Sequence, residues 1–187
     1  MLNPSQTALV LIDLQQGILG YGQAPCSGAE LVQRTAPVVA RFRAAGALIV
    51  RVKVGWSEGY PELLRQTADL SAAPPADGLP ADWWADPAGL PTQPGDLLIT
   101  KRQWNAFHGT ELDLQLRRRG ITTLVFGGIA THIGVEGSVR AAWELGYQLY
   151  IAEDLCSGPV AEAHQGSMRY VMPRLGHVRP SAGITLG

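Results

Sequence analysis

The sequence has few cysteines, no excess of charge of one sign and no long apolar run. Its two cysteines, Cys26 and Cys156, suggest neither a disulfide framework nor a zinc site. A net charge of −1 argues against nucleic-acid binding, and no apolar run approaches the roughly 20 residues that span a bilayer. The N-terminal stretch MLNPSQT lacks the basic and apolar regions of a signal peptide. We therefore expect a cytoplasmic protein with neither nucleic-acid nor membrane partners.

What is present is the composition of an ordinary globular protein. Of the 187 residues, 46% are hydrophobic and 17% are charged, which suits a single domain spanning 1–187. Short apolar runs predict strands buried on both faces of a parallel sheet, and apolar residues at helical spacing predict helices between them. The expected strands are 8–12, 48–52, 96–100, 123–126, 148–152 and 177–179, and the expected helices are 28–45, 111–119, 135–145 and 160–172, the last ended by Pro173.

This alternation predicts the fold class. Strands that alternate with helices favour a three-layer α/β/α sandwich with right-handed crossovers. We therefore expect a Rossmann-like domain with a mostly parallel sheet of about six strands.

One connection, around 54–95, is unusually long and rich in proline. Loops of this length within a domain are usually functional or disordered. Its tryptophans at 56, 83 and 84 argue against disorder, because side chains of that size are normally buried. The segment is predicted to serve as a lid or a subunit contact, with a plain surface excursion as the alternative.

Polar or unusual residues follow three of the predicted strands. Asp13 ends the first apolar run, Lys101 ends the third, and the glycine-bearing turn 127–134 follows the fourth. In open parallel sheets, ligands bind beyond the carboxyl ends of the strands. Each residue alone could be a solvated strand end. Together they predict a carboxylate–ammonium pair whose proton affinity the surroundings can tune.

Three segments in order carry a family resemblance. They are LVLIDLQ at 9–15, TKRQWNAFHGTELDLQLRRRGI at 100–121 and GGIATHIGVEGSVRAAWELGY at 127–147. Together they resemble the isochorismatase-like hydrolases, a superfamily that includes nicotinamidases, N-carbamoyl-amino-acid hydrolases and isochorismatases. The resemblance covers most of the chain.

The resemblance implies roles for individual residues. Asp13 takes the place of the catalytic acid or base and Lys101 that of the catalytic lysine. Ala130 and Gly134 stand where the family has backbone donors of an oxyanion hole, often with a cis peptide before the alanine. The metal ligands of nicotinamidases have no counterpart at 51–62. Neither a catalytic metal nor a cofactor is therefore expected.

The departure from the family is Gly134, because amidase members carry a nucleophilic cysteine there. Without a thiolate the covalent route to C–N cleavage is closed, and Cys26 and Cys156 are interpreted as ordinary small residues. True isochorismatases resemble this chain in pairing a histidine, here His132, with glycine at the cysteine position. Their vinyl-ether hydrolysis needs an acid and a positioned water. We therefore expect a cysteine-independent hydrolase; the alternatives are an inactive homologue that binds a small ligand or acts as an oligomeric scaffold, and hydrolysis by an unrecognised nucleophile.

The substrate is expected to be a small and fairly apolar molecule. The presumed pocket loops hold few basic residues beyond Lys101 and Arg102. A homo-oligomer, a dimer or larger, is implied by the resemblance. The candidate substrate-binding residues are Gln15, Trp56, Trp104, Phe107, Thr131 and His132.

Overall fold

The apolar runs form a single parallel sheet. The computed structural model describes residues 1–70 and 73–187. Neighbouring strands lie in the order β3-β2-β1-β4-β5-β6, and every pair is parallel. The prediction of a mostly parallel six-stranded sheet is confirmed. The strands are β1 Thr7–Ile12, β2 Leu48–Val54, β3 Leu97–Lys101, β4 Thr123–Ile129, β5 Gln148–Ser157 and β6 His177–Arg179.

Helices cover both faces of the sheet, which confirms the three-layer sandwich. On one face α2 packs on β1 through residues such as Leu31 and Leu9, and on the other α3 and α4 pack through Leu116 and Val139. The helices are α1 Gln16–Leu19, α2 Gly28–Ala44, α3 Leu112–Arg118, α4 Glu136–Glu144, α5 Ala161–Gly166 and α6 Met172–Leu175.

New strands are added on one side of β1 in the first half of the chain and on the other side from β4 onward. From β1 the chain proceeds to β2 and β3 on one side, and β4, β5 and β6 follow on the other. In register, Ile12 at the end of β1 lies beside Val52 and Gly128. Such a switch point opens a crevice at the carboxyl edge of a parallel sheet, and ligands bind there. The residues after β1 and β4 flank it.

Several predicted boundaries differ from the structure. A π-helical turn at Thr131–Val135 precedes α4, and another at Ser167–Val171 separates α5 from α6. Pro173 lies in the first turn of α6 instead of ending a helix, because a proline there loses no intrahelical hydrogen bond. Strand β5 continues to Ser157, beyond its predicted end at 152, so Cys156 lies within the strand. The short helix α1 was not predicted.

The long connection after β2 is anchored to its own chain. Trp83 is buried, and its Nε1 donates a 2.7 Å hydrogen bond to the carbonyl oxygen of Val54. At Gly55 a Cβ would overlap the Trp84 ring, so glycine allows this close approach. Asp86 adds an ion pair, 2.8 Å from Nζ of Lys53. The role of 54–95 as a lid or subunit contact stays a prediction, and its residues 71 and 72 lie outside the described part of the chain.

Among residues 1–70 and 73–187, no helix is long and apolar enough to cross a membrane.

Candidate active site

Asp13 and Lys101 form a buried ion pair at the carboxyl edge of the sheet. Nζ of Lys101 lies 2.7 Å from Oδ2 of Asp13, which confirms the predicted pair within 4 Å. Asp13 follows β1 with a φ of 54°, a left-handed conformation that aspartate tolerates better than most residues. Its backbone N–H donates to the carbonyl oxygen of Val52 at 2.9 Å. Lys101 is the last residue of β3, so its side chain reaches across β2 to meet the carboxylate.

Both partners are more deeply buried than solvated strand ends would be. Asp13 is 5% exposed and Lys101 is 2% exposed. Burial raises the pKa of Asp13 to about 6, although attraction and hydrogen bonding by Lys101 act to lower it. The carboxyl group can therefore gain or lose a proton close to neutral pH.

The second carboxylate oxygen of Asp13 differs from the first in its contacts. Lys101 donates to Oδ2 and, at 3.1 Å, to the carbonyl oxygen of Gln103. Oδ1 is buried and has no hydrogen-bond partner in the described part of the chain. Buried polar atoms normally have partners, so this carboxylate oxygen departs from the usual pattern.

The turn after β4 faces this carboxylate. The peptide bond between Ile129 and Ala130 is cis, as the resemblance implied. Gly134 lies in the π-helical turn and does not have a positive φ. A Cβ on Gly134 would lie 3.3 Å from Oδ2 of Asp13 and 3.2 Å from Cγ2 of Ile12. Backbone conformation therefore does not require glycine here, and the family's cysteine position adjoins Asp13. The roles of the Ala130 and Gly134 N–H groups in an oxyanion hole stay a prediction.

Thr131 and His132 occupy the same turn. Thr131 is fully buried, and its Oγ1 lies 2.8 Å from Nδ1 of His164. Nδ1 of His132 is buried without a partner among the described residues. Ser138 of α4 joins the turn to the loop after β3, because its Oγ donates to the carbonyl oxygen of Gly134 at 2.6 Å and accepts from the N–H of Ala106 at 3.0 Å. No sequence pattern pointed to His164; Ser138 lay within the 127–147 segment but received no role.

Two predicted substrate contacts have partners within the chain, and their contact with a substrate stays a prediction. The Gln15 side chain is fully buried, and its amide bonds to backbone groups of Val54 and Trp83 at 2.8–3.0 Å. It therefore joins β1 to β2 and to the long connection. Phe107 packs against the core, and its ring lies 6.0 Å from that of Tyr147.

The predicted tryptophan contacts stay predictions. Nε1 of Trp56 donates to the carbonyl oxygen of Arg102 at 2.8 Å, which places this half-buried ring beside the residue after Lys101. Trp104 is 68% exposed, and its Cβ lies 4.0 Å from the position of a Cβ on Gly137.

Neither cysteine has the properties of a nucleophile. Cys156 is fully buried in β5, where its Sγ contacts the carbonyl oxygen of Ala152 at 3.4 Å. Burial raises the pKa of both the Cys26 and the Cys156 thiol. A raised pKa keeps sulfur in the unreactive thiol form.

No group of three or more His, Cys, Asp or Glu side chains in the described ranges has the geometry of a metal site. Metal independence itself stays a prediction.

Comparison with known proteins agrees with this geometry. The family model described as "Isochorismatase domain" matches residues 7–182. The chain is 51% identical over 178 residues to the isochorismatase family protein YecD of Escherichia coli O157:H7, covering 95% of this chain and 94% of that protein. A solved isochorismatase family protein from Burkholderia thailandensis is 40% identical, with a TM-score of 0.91 and coverage of 97% and 94%.

An enzyme with a named reaction is also similar. Ureidoacrylate amidohydrolase RutB of Stutzerimonas stutzeri is 32% identical over 170 residues, which cover 78% of this chain and 67% of that protein. The chain belongs to the isochorismatase family of hydrolases.

Proposed function

We propose that this hydrolase acts on a small molecule without a cysteine nucleophile. Asp13 serves as general acid and base, and Lys101 stabilises its carboxylate form. The bond cleaved is the C–O bond of a vinyl ether or a related C–O or C–N bond. The observation that carries the proposal is the unpartnered Oδ1 of a buried carboxyl group whose pKa burial raises to about 6.

A vinyl ether suits this site because its hydrolysis needs no covalent intermediate. Protonated Asp13 donates its proton to the terminal carbon of the C=C bond, which leaves a cation stabilised by the ether oxygen. Water adds to the cationic carbon and gives one proton back to the Asp13 carboxylate. The resulting hemiketal breaks its C–O bond to yield an alcohol and a carbonyl compound. One water is consumed, and Asp13 ends protonated as it began.

Lys101 supports the first stage of this cycle. Its ammonium group, 2.7 Å from Oδ2, favours the carboxylate that forms when Asp13 gives up its proton. Because the pair is almost completely buried, this attraction is screened less than it would be in water. A Cβ at position 134 would lie 3.3 Å from Oδ2, so glycine keeps a side chain away from this oxygen.

A second candidate is an inactive homologue that binds a small ligand or acts as an oligomeric scaffold. Gly134 favours it, because the family's nucleophile is missing while the amidohydrolase RutB is a relative. The buried ion pair weighs against it, since burying two charges is costly and needs a compensating use.

The test is turnover of vinyl ethers, amides and ureido acids, followed by NMR detection of products. Asp13→Asn is the matched control, because it keeps the shape of the side chain and removes its titratable proton. Turnover of a vinyl ether by the native protein and its loss in Asp13→Asn support the proposal. Ligand binding without turnover, unchanged in Asp13→Asn, establishes the inactive homologue.

The cytoplasmic location and the homo-oligomer also stay predictions. Light scattering of the purified protein tests the second, and a mass of 20.0 kDa identifies a monomer.

A further inference from the structure

His164 contacts the active-site turn from outside it. It lies on α5, is 8% exposed, and has Nδ1 at 2.8 Å from Oγ1 of Thr131. The same Oγ1 lies 3.2 Å from the carbonyl oxygen of Ser157 at the end of β5. Thr131 is fully buried and follows the cis peptide at Ala130. One hydroxyl group therefore joins α5, β5 and the turn.

Counting protons fixes the direction of these hydrogen bonds. The Thr131 hydroxyl has one proton, and the Ser157 carbonyl can only accept. With the Thr131 hydroxyl donating to Ser157, its oxygen accepts from His164, and we assign a proton to Nδ1 of His164 on this basis. Nδ1 is protonated in both the imidazolium and this neutral tautomer. The bond to Thr131 is therefore retained in both charge states.

We propose that His164 is a positioning residue for the Asp13 site. By donating to Thr131, it holds the π-helical turn in the orientation that places Gly134 beside Oδ2 of Asp13. It also holds His132, whose buried Nδ1 has no partner among the described residues. This assignment rests on the proposed function, because positioning matters only if Asp13 acts on a substrate.

The surroundings of His164 favour a neutral ring at pH 7. His132 faces it from the turn, and Glu153 of β5 and Arg169 line a surface depression of about 420 Å³ together with it. Burial, with a smaller contribution from His132, lowers the pKa of His164 below its ordinary value of 6.5.

A matched pair of substitutions separates positioning from packing. Asparagine carries an N–H donor close to the place of Nδ1, whereas leucine has a similar size and no donor. We expect His164→Leu to lower kcat on the order of 10- to 100-fold with little change in KM, because small displacements of reacting groups cost rate. His164→Asn should restore most of kcat. His164→Leu combined with Thr131→Val should lose no more than Thr131→Val alone, since that variant already removes the contact with His164.

A merely structural role predicts a different result. His164→Leu would then lower the unfolding temperature while kcat, measured well below that temperature, stayed at the native value. Equal losses of kcat in the leucine and asparagine variants would also overturn the proposal, because the donor would then be irrelevant.

Nitrogen NMR of the histidine side chains tests the contact without any substrate. We expect the Nδ1–H tautomer for His164, and its conversion to the commoner Nε2–H tautomer in Thr131→Val. An Nε2–H tautomer in the native protein overturns the assignment whatever the activity. Absence of turnover together with an Nδ1–H tautomer defeats the proposed function but leaves the hydrogen-bond assignment standing.

Discussion

Replacing Lys101 by methionine should destabilise the protein in a strongly pH-dependent way. Methionine keeps much of the aliphatic side chain and removes the ammonium group that lies 2.7 Å from Asp13. The Asp13 carboxylate would then be buried without a counter-ion. Removing one partner of a buried pair typically costs about 3–5 kcal/mol.

Protonation of Asp13 limits this cost and sets its pH dependence. The pKa of Asp13 in the folded protein, about 6, lies above its ordinary value of 3.8. The folded state therefore binds more protons, and stability falls as pH rises through that window. Loss of Lys101 raises the pKa of Asp13 further, so the stability of the variant continues to fall up to a higher pH. At pH 8, neutralising a carboxyl group that titrates near 6 costs about 3 kcal/mol.

The expected destabilisation of Lys101→Met is therefore about 2–3 kcal/mol at pH 8 and below about 1 kcal/mol at pH 5. Urea unfolding followed by tryptophan fluorescence measures it at both pH values. The double variant with Asp13→Asn should recover most of the loss at pH 8, because no buried charge remains. As a control, Arg140→Met breaks a pair whose arginine side chain is 53% exposed and should cost well under about 1 kcal/mol.

Two results would refute this reasoning. One is a destabilisation by Lys101→Met that is equal at pH 5 and pH 8. The other is a double variant as unstable as the single one. Either would mean that Lys101 stabilises the fold by packing and not by neutralising Asp13.

Three further predictions concern the site and the long connection. Gly134→Cys should fold and lose the native activity. Because the new thiol adjoins a helical N-terminus, it should react with iodoacetamide faster than Cys26 or Cys156 when labelling is followed by mass spectrometry. Slower labelling of the new thiol would contradict this prediction. If Asp13 acts first as an acid, kcat/KM should fall as pH rises through about 6, whereas a rise would show a base. The pKa of Asp86 is lowered to about 2, because hydrogen bonds and cations outweigh its burial. Asp86→Asn should therefore lower stability at pH 7 by about 1–2 kcal/mol in urea unfolding, and the difference should shrink between pH 4 and pH 2 as the native carboxylate is protonated.

The sheet and the ion pair could be predicted because both depend on local pattern and general topology. Continuous apolar runs identify buried parallel strands, and the carboxyl ends of such strands meet at one edge. Asp13 and Lys101 follow two of these runs, so their proximity needed no knowledge of side-chain packing. Glycine at 134 was likewise visible from its place in the turn after β4.

The surroundings of the pair could not be predicted, because they depend on long-range packing. Gln15 follows a strand just as Asp13 does, yet its side-chain amide donates hydrogen bonds to the carbonyl oxygens of Val54 and Trp83. Trp83 is far away in the sequence. His164 lies on a short helix without a motif, and only the folded chain brings it to Thr131. Such contacts leave no periodic signal.

The distribution of the site over the sheet has a consequence for folding. Asp13 follows β1, Lys101 ends β3, and Gly134 lies after β4. The strands that carry Asp13 and Lys101 are joined through β2, whereas the turn that carries Gly134 also depends on the pairing of β4 with β1. Parallel pairing between strands distant in sequence is intrinsically slow. During refolding, catalysis should therefore recover only once β4 has paired with β1.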